Sequence, residues 1–404
     1  MAVIKNYMKE KEKLRGKEPV NYQDKISRYK ARNLYRILLV LVAVIALVAI
    51  IIVQFRRHVY TGYDVVATVD RSGFEGTIDK KLGGNILTYS KDGVHCTDVR
   101  GNVAWNQTYE IQDVKMAICG DTVAVGDYNG TNVYVLNTSK QLSEINTTYP
   151  IRDLTVSADG HVTVVVDADE TAYLNTYDPS GNMIYQGWAK MNGSGYPAAL
   201  CLSPDGELLC VSYWYVDTGV LKTNVVFYNF GPVGANSNDF AVSAFSYTDV
   251  LIPQVQFVDD STAFAVGDSR LVLYKGNHIP VEFVTRLFDE EVKSVFYSDQ
   301  YIGLVFRSED GDHLYRMDVF DAKTKNADNF LLGSYYIDID YTDIFFGQKN
   351  FTVYNERECV ITTMDGFEKF NGTFDESVRL MIPIGKSYKY LLVTDTTFDT
   401  IQLK

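Results

Sequence analysis

Three turns of one form recur along this chain at almost equal steps, and that recurrence constrains the fold more than any other feature. They are Asp98-Val99-Arg100-Gly101-Asn102, Asn137-Thr138-Ser139-Lys140-Gln141 and Asp178-Pro179-Ser180-Gly181-Asn182, with steps of 39 and 41 residues. Asp or Asn opens such a turn by bonding its own backbone, and Gly accepts the positive φ that the returning strand needs. A second turn recurs at Ser157-Ala158-Asp159-Gly160 and Ser203-Pro204-Asp205-Gly206, and Asp321-Ala322-Lys323-Thr324-Lys325 is a later counterpart of the first. Between the turns lie short runs of β-formers, such as 122–125, 162–166 and 208–213, with the composition of strands. No amphipathic helical pattern of useful length follows residue 64.

Four strands over about 40 residues form the unit of a β-propeller blade. Units fall at 75–109, 113–147, 151–188, 196–248, 250–285, 291–332 and 334–371. The remainder, 377–403, supplies three strands, and the run 64–70 supplies a fourth from the other end of the chain. Closure by both ends removes an exposed sheet edge. The expected class is all-β: a single propeller of eight blades, alternatively seven, preceded by one transmembrane α-helix.

Residues 37–53 contain no polar side chain. Together with Gln54 and Phe55 they rise roughly 28 Å as a helix, close to the hydrocarbon thickness of a bilayer. Residues 1–57 hold 13 Lys and Arg against 4 Asp and Glu, whereas residues 58–404 hold 25 against 47. Six Lys and Arg precede the helix within twenty residues and three follow it, which places the N-terminus in the cytoplasm. A cleaved signal peptide has a shorter basic start and a small-residue exit, and here 36 residues precede the apolar run, which exits into Gln54-Phe55-Arg56-Arg57. The expected organisation is a cytoplasmic basic tail at 1–36, the span at 37–55, a linker at 56–63 and an extracytoplasmic propeller at 64–404. The polar first 33 residues read as a solvated, partly disordered tail, with a lipid-contacting or partner-binding helix as the sharper alternative. The eight linker residues reach at most about 29 Å, so partners are expected close to the membrane. An ectodomain this acidic is repelled by anionic lipid and favours cationic partners or divalent ions, and no nucleic-acid partner is expected.

The five cysteines, Cys96, Cys119, Cys201, Cys210 and Cys359, are too few and too widely spaced for a disulfide scaffold. Only Cys201 and Cys210, which flank one predicted hairpin, form a pair to check for a bridge.

The wording of the repeats is similar to a known pattern. Leu174-Asn175-Thr176-Tyr177-Asp178 followed by Gly181-Asn182 and Trp188, and Asp98 followed by Gly101 and Trp105, resemble the tyrosine-aspartate, glycine, tryptophan repeat of quinoprotein-like propellers. The basic tail, single helix and acidic propeller together resemble an uncharacterised family of single-pass membrane-anchored propellers from Gram-positive bacteria. The resemblance implies a fold and an envelope location, and no activity. A quinone enzyme of this fold would carry regular tryptophan docking repeats and adjacent cysteines; this chain has three tryptophans and no Cys-Cys, so no cofactor is expected.

No zinc-protease, serine-hydrolase, phosphate-loop or complete calcium-loop motif occurs. His58, His95, His161, His278 and His313 are scattered, as lone surface or turn histidines usually are. Asp338, Asp340 and Asp343 bunch together, as do Glu309, Asp310 and Asp312. Such carboxylates can hold calcium, yet acidic turns also keep edges soluble, and the metal question stays open. Two loops break the rhythm, 191–196 and 230–245, and irregular loops on a regular scaffold commonly carry binding. With them, Tyr196, Tyr213, Trp214, Tyr215, Phe230, Phe240 and Phe245 form the expected partner-binding surface. The leading functional expectation is a membrane-anchored, extracytoplasmic scaffold that binds other cell-envelope proteins and is not an enzyme. The alternative is a hydrolase or lactonase-like enzyme with carboxylates or a metal at the ring axis, which requires several His, Asp or Glu on the innermost strands.

Overall fold

Asp98 and Asp178 build nearly identical turns. Asp98 Oδ1 accepts from the Arg100 and Asn102 amides at 2.8 and 2.9 Å, and Asn102 Nδ2 donates to Oδ2 at 2.9 Å. At Asp178 the Ser180 and Asn182 amides donate at 2.9 Å each and Asn182 Nδ2 donates to Oδ2 at 3.0 Å. Gly101 and Gly181 sit at φ 82° and 85°, where a Cβ would be strained. Asn137 closes a shorter turn by accepting from the Ser139 and Lys140 amides, and that turn uses no glycine. Each of these turns joins the third strand of a four-stranded antiparallel sheet to its fourth.

The computed structural model describes residues 2–15, 22–56, 58–71, 76–191, 193–385 and 388–404. It forms two units, Met1–Val59 and Tyr60–Lys404. The first is helical, with α1 at Ala2–Arg15 and α2 at Tyr22–Arg56. The helical α1 replaces the expected disordered tail. Alternating charges put Glu10 and Lys13 three residues apart, on one helix face, and Lys11 lies over the Tyr7 ring at 5.9 Å. α2 is long and apolar enough to cross a membrane: its stretch Ile26–Val48 has a mean hydropathy of 2.0. It begins well before the apolar run, because Arg28, Lys30, Arg32 and Arg36 stand among good helix formers.

The second unit is an eight-bladed propeller. Seven blades lie at 78–108, 114–146, 151–190, 196–248, 254–287, 292–337 and 343–373. The eighth takes three strands from 380–403, and its outermost strand is Tyr63–Asp70, paired from Tyr63 with Leu403 to Asp70 with Thr397. The sixth blade extends beyond the sequence expectation. Leu331–Ile337 is its fourth strand, displaced by a long turn that includes the 3-10 segment Ala327–Asn329. The core lies between neighbouring sheets: Val225 and Phe227 of blade 4 pack against Val255, Phe257 and Tyr274 of blade 5.

One seam is held differently. Between blades 8 and 1, Arg71 donates to Asp79 Oδ1 at 2.6 Å, with both side chains fully buried, and to the Thr394 carbonyl at 2.9 Å. Arg379 pairs with Asp79 Oδ2 at 3.0 Å, and the Thr88 hydroxyl donates to Oδ1 at 2.6 Å. This closed ion cluster ties the N-terminal strand and the last blade to the first.

Strands alternate in direction, so each blade's first-to-second and third-to-fourth turns lie at one end of the propeller, the turn face. The second-to-third turns and the blade-to-blade connections lie at the other, the link face.

Candidate interaction surfaces

The two faces differ in charge. Among the described residues, loops of the link face hold 19 acidic and 4 basic residues, those of the turn face 11 and 6. Both ends of the propeller chain meet on the turn face, where the Tyr60 amide donates to the Lys369 carbonyl at 2.7 Å and the Lys404 amide to Gly62 at 2.9 Å.

The aromatic residues singled out from sequence divide between the faces, because the loops at 191–195 and 230–240 lie at opposite ends of their strands. Tyr196, Tyr213, Trp214 and Tyr215 lie toward the link face. Tyr213 is buried with its hydroxyl 2.8 Å from that of Tyr228, Trp214 Nε1 donates to the Ile252 carbonyl at 3.1 Å, and the Tyr196 hydroxyl donates to Asp167. Tyr215 is half-buried. On the turn face, Phe230 and Phe240 pack at 5.4 and 5.7 Å from Tyr185 of blade 3. Phe245 belongs to strand Ala241–Thr248 and packs at 5.1 Å from Tyr274. The irregular stretch is therefore 230–240, and its two phenylalanines fasten adjacent blades.

Counting from the turn aspartate locates the docking position between blades. Trp105, seven residues after Asp98, donates from Nε1 to the Asn137 carbonyl of blade 2 at 2.7 Å. Seven after Asp178 stands Tyr185, which fills that role in blade 3. Trp188 lies three residues further on, so it is released from docking and is 65% exposed. Opposite it on the neighbouring strand is Tyr173, whose ring stacks on Tyr149 at 5.8 Å and 13°. Trp188, Tyr149 (41% exposed) and Met191 (61%) make an apolar rim at the link-face end of blade 3, beside the exposed Asp169 and Glu170. This rim was missed in sequence because Trp188 was matched to Trp105 by residue type; the distance from the turn separates them.

At the ring axis, the innermost strands carry no His or Glu, and among the described residues no group of three or more His, Cys, Asp or Glu can hold a metal ion. His161 pairs with Asp159, His278 with Glu207 and His313 with Asp338, at 2.9, 2.9 and 2.7 Å, so these histidines are spread over both faces. The hydrogen bond to Asp338 raises the His313 pKa. His95 lies on the third strand of blade 1, its pKa lowered by burial and then by Arg71, and His58 precedes the propeller. The two acidic clusters do not converge on a common point. Asp338 holds His313, Asp340 accepts from the Tyr315 hydroxyl, and Asp343 accepts from the Ile344 amide, its pKa raised by burial. Asp310 caps its own turn by accepting from Asp312 and His313 amides. Across the turn face, the Asp205 amide donates to Asp260 at 3.0 Å; burial and then Asp205 raise the Asp260 pKa. All five cysteines are free. Cys201 and Cys210 face each other on paired strands, with burial holding the Cys210 thiol protonated.

A family model, DUF5711, described as a family of unknown function, matches residues 56–403. No curated protein matches in sequence. Among solved structures, BamB from Moraxella catarrhalis is similar with a TM-score of 0.51 at 12% identity, covering 84% of this chain and 100% of its own. Sqt1 from Saccharomyces cerevisiae is similar with a TM-score of 0.51 at 12% identity, covering 84% of this chain and 99% of its own. At that identity the likeness is one of fold.

Proposed function

We propose, for a chain that belongs to the DUF5711 family of unknown function, a membrane-anchored extracytoplasmic scaffold that binds envelope proteins and has no catalysis of its own. α2 is the anchor, with the basic residues before Ile37 on the cytoplasmic side. The observation that carries the scaffold reading is the Trp188 rim. A 65% exposed indole, opposite Tyr173 of a stacked tyrosine pair in strand register, is released from blade packing, and exposed Trp and Tyr are the side chains most enriched at binding hot spots. The carboxylates of Asp169 and Glu170 beside it select a partner that presents apolar and cationic groups together. Against an enzyme stands the inner ring, where Asp79 is locked by two arginines and Asp153 faces Lys115 at 3.7 Å.

The test is crosslinking in intact cells followed by identification of what is captured, with the Trp188→Ala protein beside the unaltered one. The variant keeps its folding stability, because the side chain is mostly in water, and loses at least about tenfold in captured partner, the effect of one hot-spot residue. Equal capture by both proteins would remove Trp188 from the binding surface. Protease shaving of the same cells checks sidedness: a propeller that resists until the membrane is opened refutes the extracytoplasmic placement.

A further inference from the structure

A helix of 14 residues is marginal in water when nothing packs against it, because helices in proteins owe most of their stability to burial of one face. α1 is such a helix: it spans Ala2–Arg15, and every described side chain on it, 4 to 11 and 13, is exposed. Its residues are not distributed at random. Ile4, Tyr7, Met8 and Lys11 follow the spacing i, i+3, i+4, i+7 of one stripe, and the three apolar members are 71%, 66% and 62% exposed. Lys5, three residues before Met8, borders the stripe, and Lys11 stands within it with its ammonium over the Tyr7 ring. Lys5, Lys9 and Lys13 form a second row at steps of four, where like charges destabilise an isolated helix. Residues 2–15 hold five Lys and Arg against two Glu, and residues 22–36 hold five against one Asp.

An unsupported helix with an apolar stripe and a net positive charge is completed by a surface that is apolar beneath and anionic on top. We propose that α1 lies in the headgroup layer of the leaflet from which the N-terminal end of α2 emerges, bound to anionic phospholipid. Ile4, Tyr7 and Met8 enter the acyl boundary. The stem of Lys11 follows them, while its ammonium reaches back to the headgroups, and the anionic surface relieves the repulsion along Lys5, Lys9 and Lys13. The chain permits this return to the surface. From Tyr22 to Ile37, where the apolar run of α2 begins, the helix rises about 22 Å, and the seven steps from Arg15 to Tyr22 reach at most about 25 Å. One short stripe buries little apolar area, so lipid charge decides whether α1 is bound or free. This inference rests on α2 being a membrane anchor.

The experiment places the full chain in nanodiscs of phosphatidylcholine alone or mixed with phosphatidylglycerol, and follows amide hydrogen exchange over residues 4–13. Binding slows exchange there in the anionic discs by at least about fivefold, the effect of a single lysine near an anionic surface, and leaves the propeller strand at 122–127 unchanged. The Lys5→Gln/Lys9→Gln/Lys11→Gln variant and added salt each remove the difference between the lipids. The Ile4→Gln/Met8→Gln variant, which keeps every charge, removes the protection too. Gln is a good helix former, so these changes act on the contact and not on the helix, and the salt arm needs no variant. Equal exchange in both lipids, or protection that the Ile4→Gln/Met8→Gln variant retains, overturns the proposal. Protection that appears in either disc only after cytosolic extract is added also overturns it, in favour of a protein partner. A chain that fails to enter either disc instead refutes the anchor reading, a separate outcome visible before exchange is measured.

Discussion

The turn face and the link face are made by the same eight blades, yet they are held by different chemistry. On the turn face, Asp98, Asn137 and Asp178 spend their oxygens on their own backbone amides, so the order of these turns is local and repeated. On the link face, order at the seam comes from Arg71, Asp79 and Arg379, residues about 300 positions apart joined in a buried cluster. Elsewhere that face is acidic loops and the Trp188 rim. A face built from self-contained turns tolerates change one turn at a time. A face whose closure depends on one buried carboxylate does not.

The largest test of this contrast is Asp79→Ala. It leaves Arg71 buried without its charge partner, and breaking such a pair costs about 3–5 kcal/mol. Denaturant unfolding is expected to show that loss with the folded structure otherwise retained; a loss below about 1 kcal/mol would mean that the seam is held by packing alone. A smaller effect is expected from Asp178→Ala on the turn face, about 1 kcal/mol for the lost hydrogen bonds. Hydrogen bonds from Asn182, first its side chain and then its amide, hold the Asp178 carboxyl below the ordinary range. Its stabilisation is therefore present above the unfolded carboxyl's pKa and is lost as pH falls through the lower folded value. Unfolding measured across that acid range should show the two proteins converging. The smallest effect has the opposite sign. Burial and Asp205 raise Asp260, so its protonated form favours folding below the unfolded pKa, and that contribution is lost as pH rises through the folded one. Asp260→Asn keeps the acceptor for the Asp205 amide and should stabilise the protein by roughly 0.5 kcal/mol at neutral pH, a gain that vanishes in acid. Persistence of the gain at low pH would assign it to packing and not to charge.

The same contrast explains what the sequence discloses. Local chemistry is visible along the chain: the turn repeats give the blade period, and the orphan run at 64–70 predicts closure by the N-terminal strand, found as Tyr63–Asp70. The boundary of the sixth blade slips where the turn at 322–330 lengthens the unit and moves Leu331–Ile337 along the chain. Non-local chemistry is not visible. Nothing near Arg71 marks Arg379 as its neighbour in space, and the inward packing of Phe230, Phe240 and Phe245 depends on Tyr185 and Tyr274 in adjacent blades. Trp188 was legible only through its distance from Asp178.

The pairing of Tyr63–Asp70 with Thr397–Leu403 also has a meaning in time. A chain is synthesised from its N-terminus, so the first strand of the propeller to be made is the last to find its partner. It waits unpaired while seven blades form, and the buried cluster of Arg71, Asp79 and Arg379 cannot assemble until the eighth arrives. Removing residues 398–404 would strip the outer strand of its neighbour, leaving the earliest-made strand of the propeller unpaired.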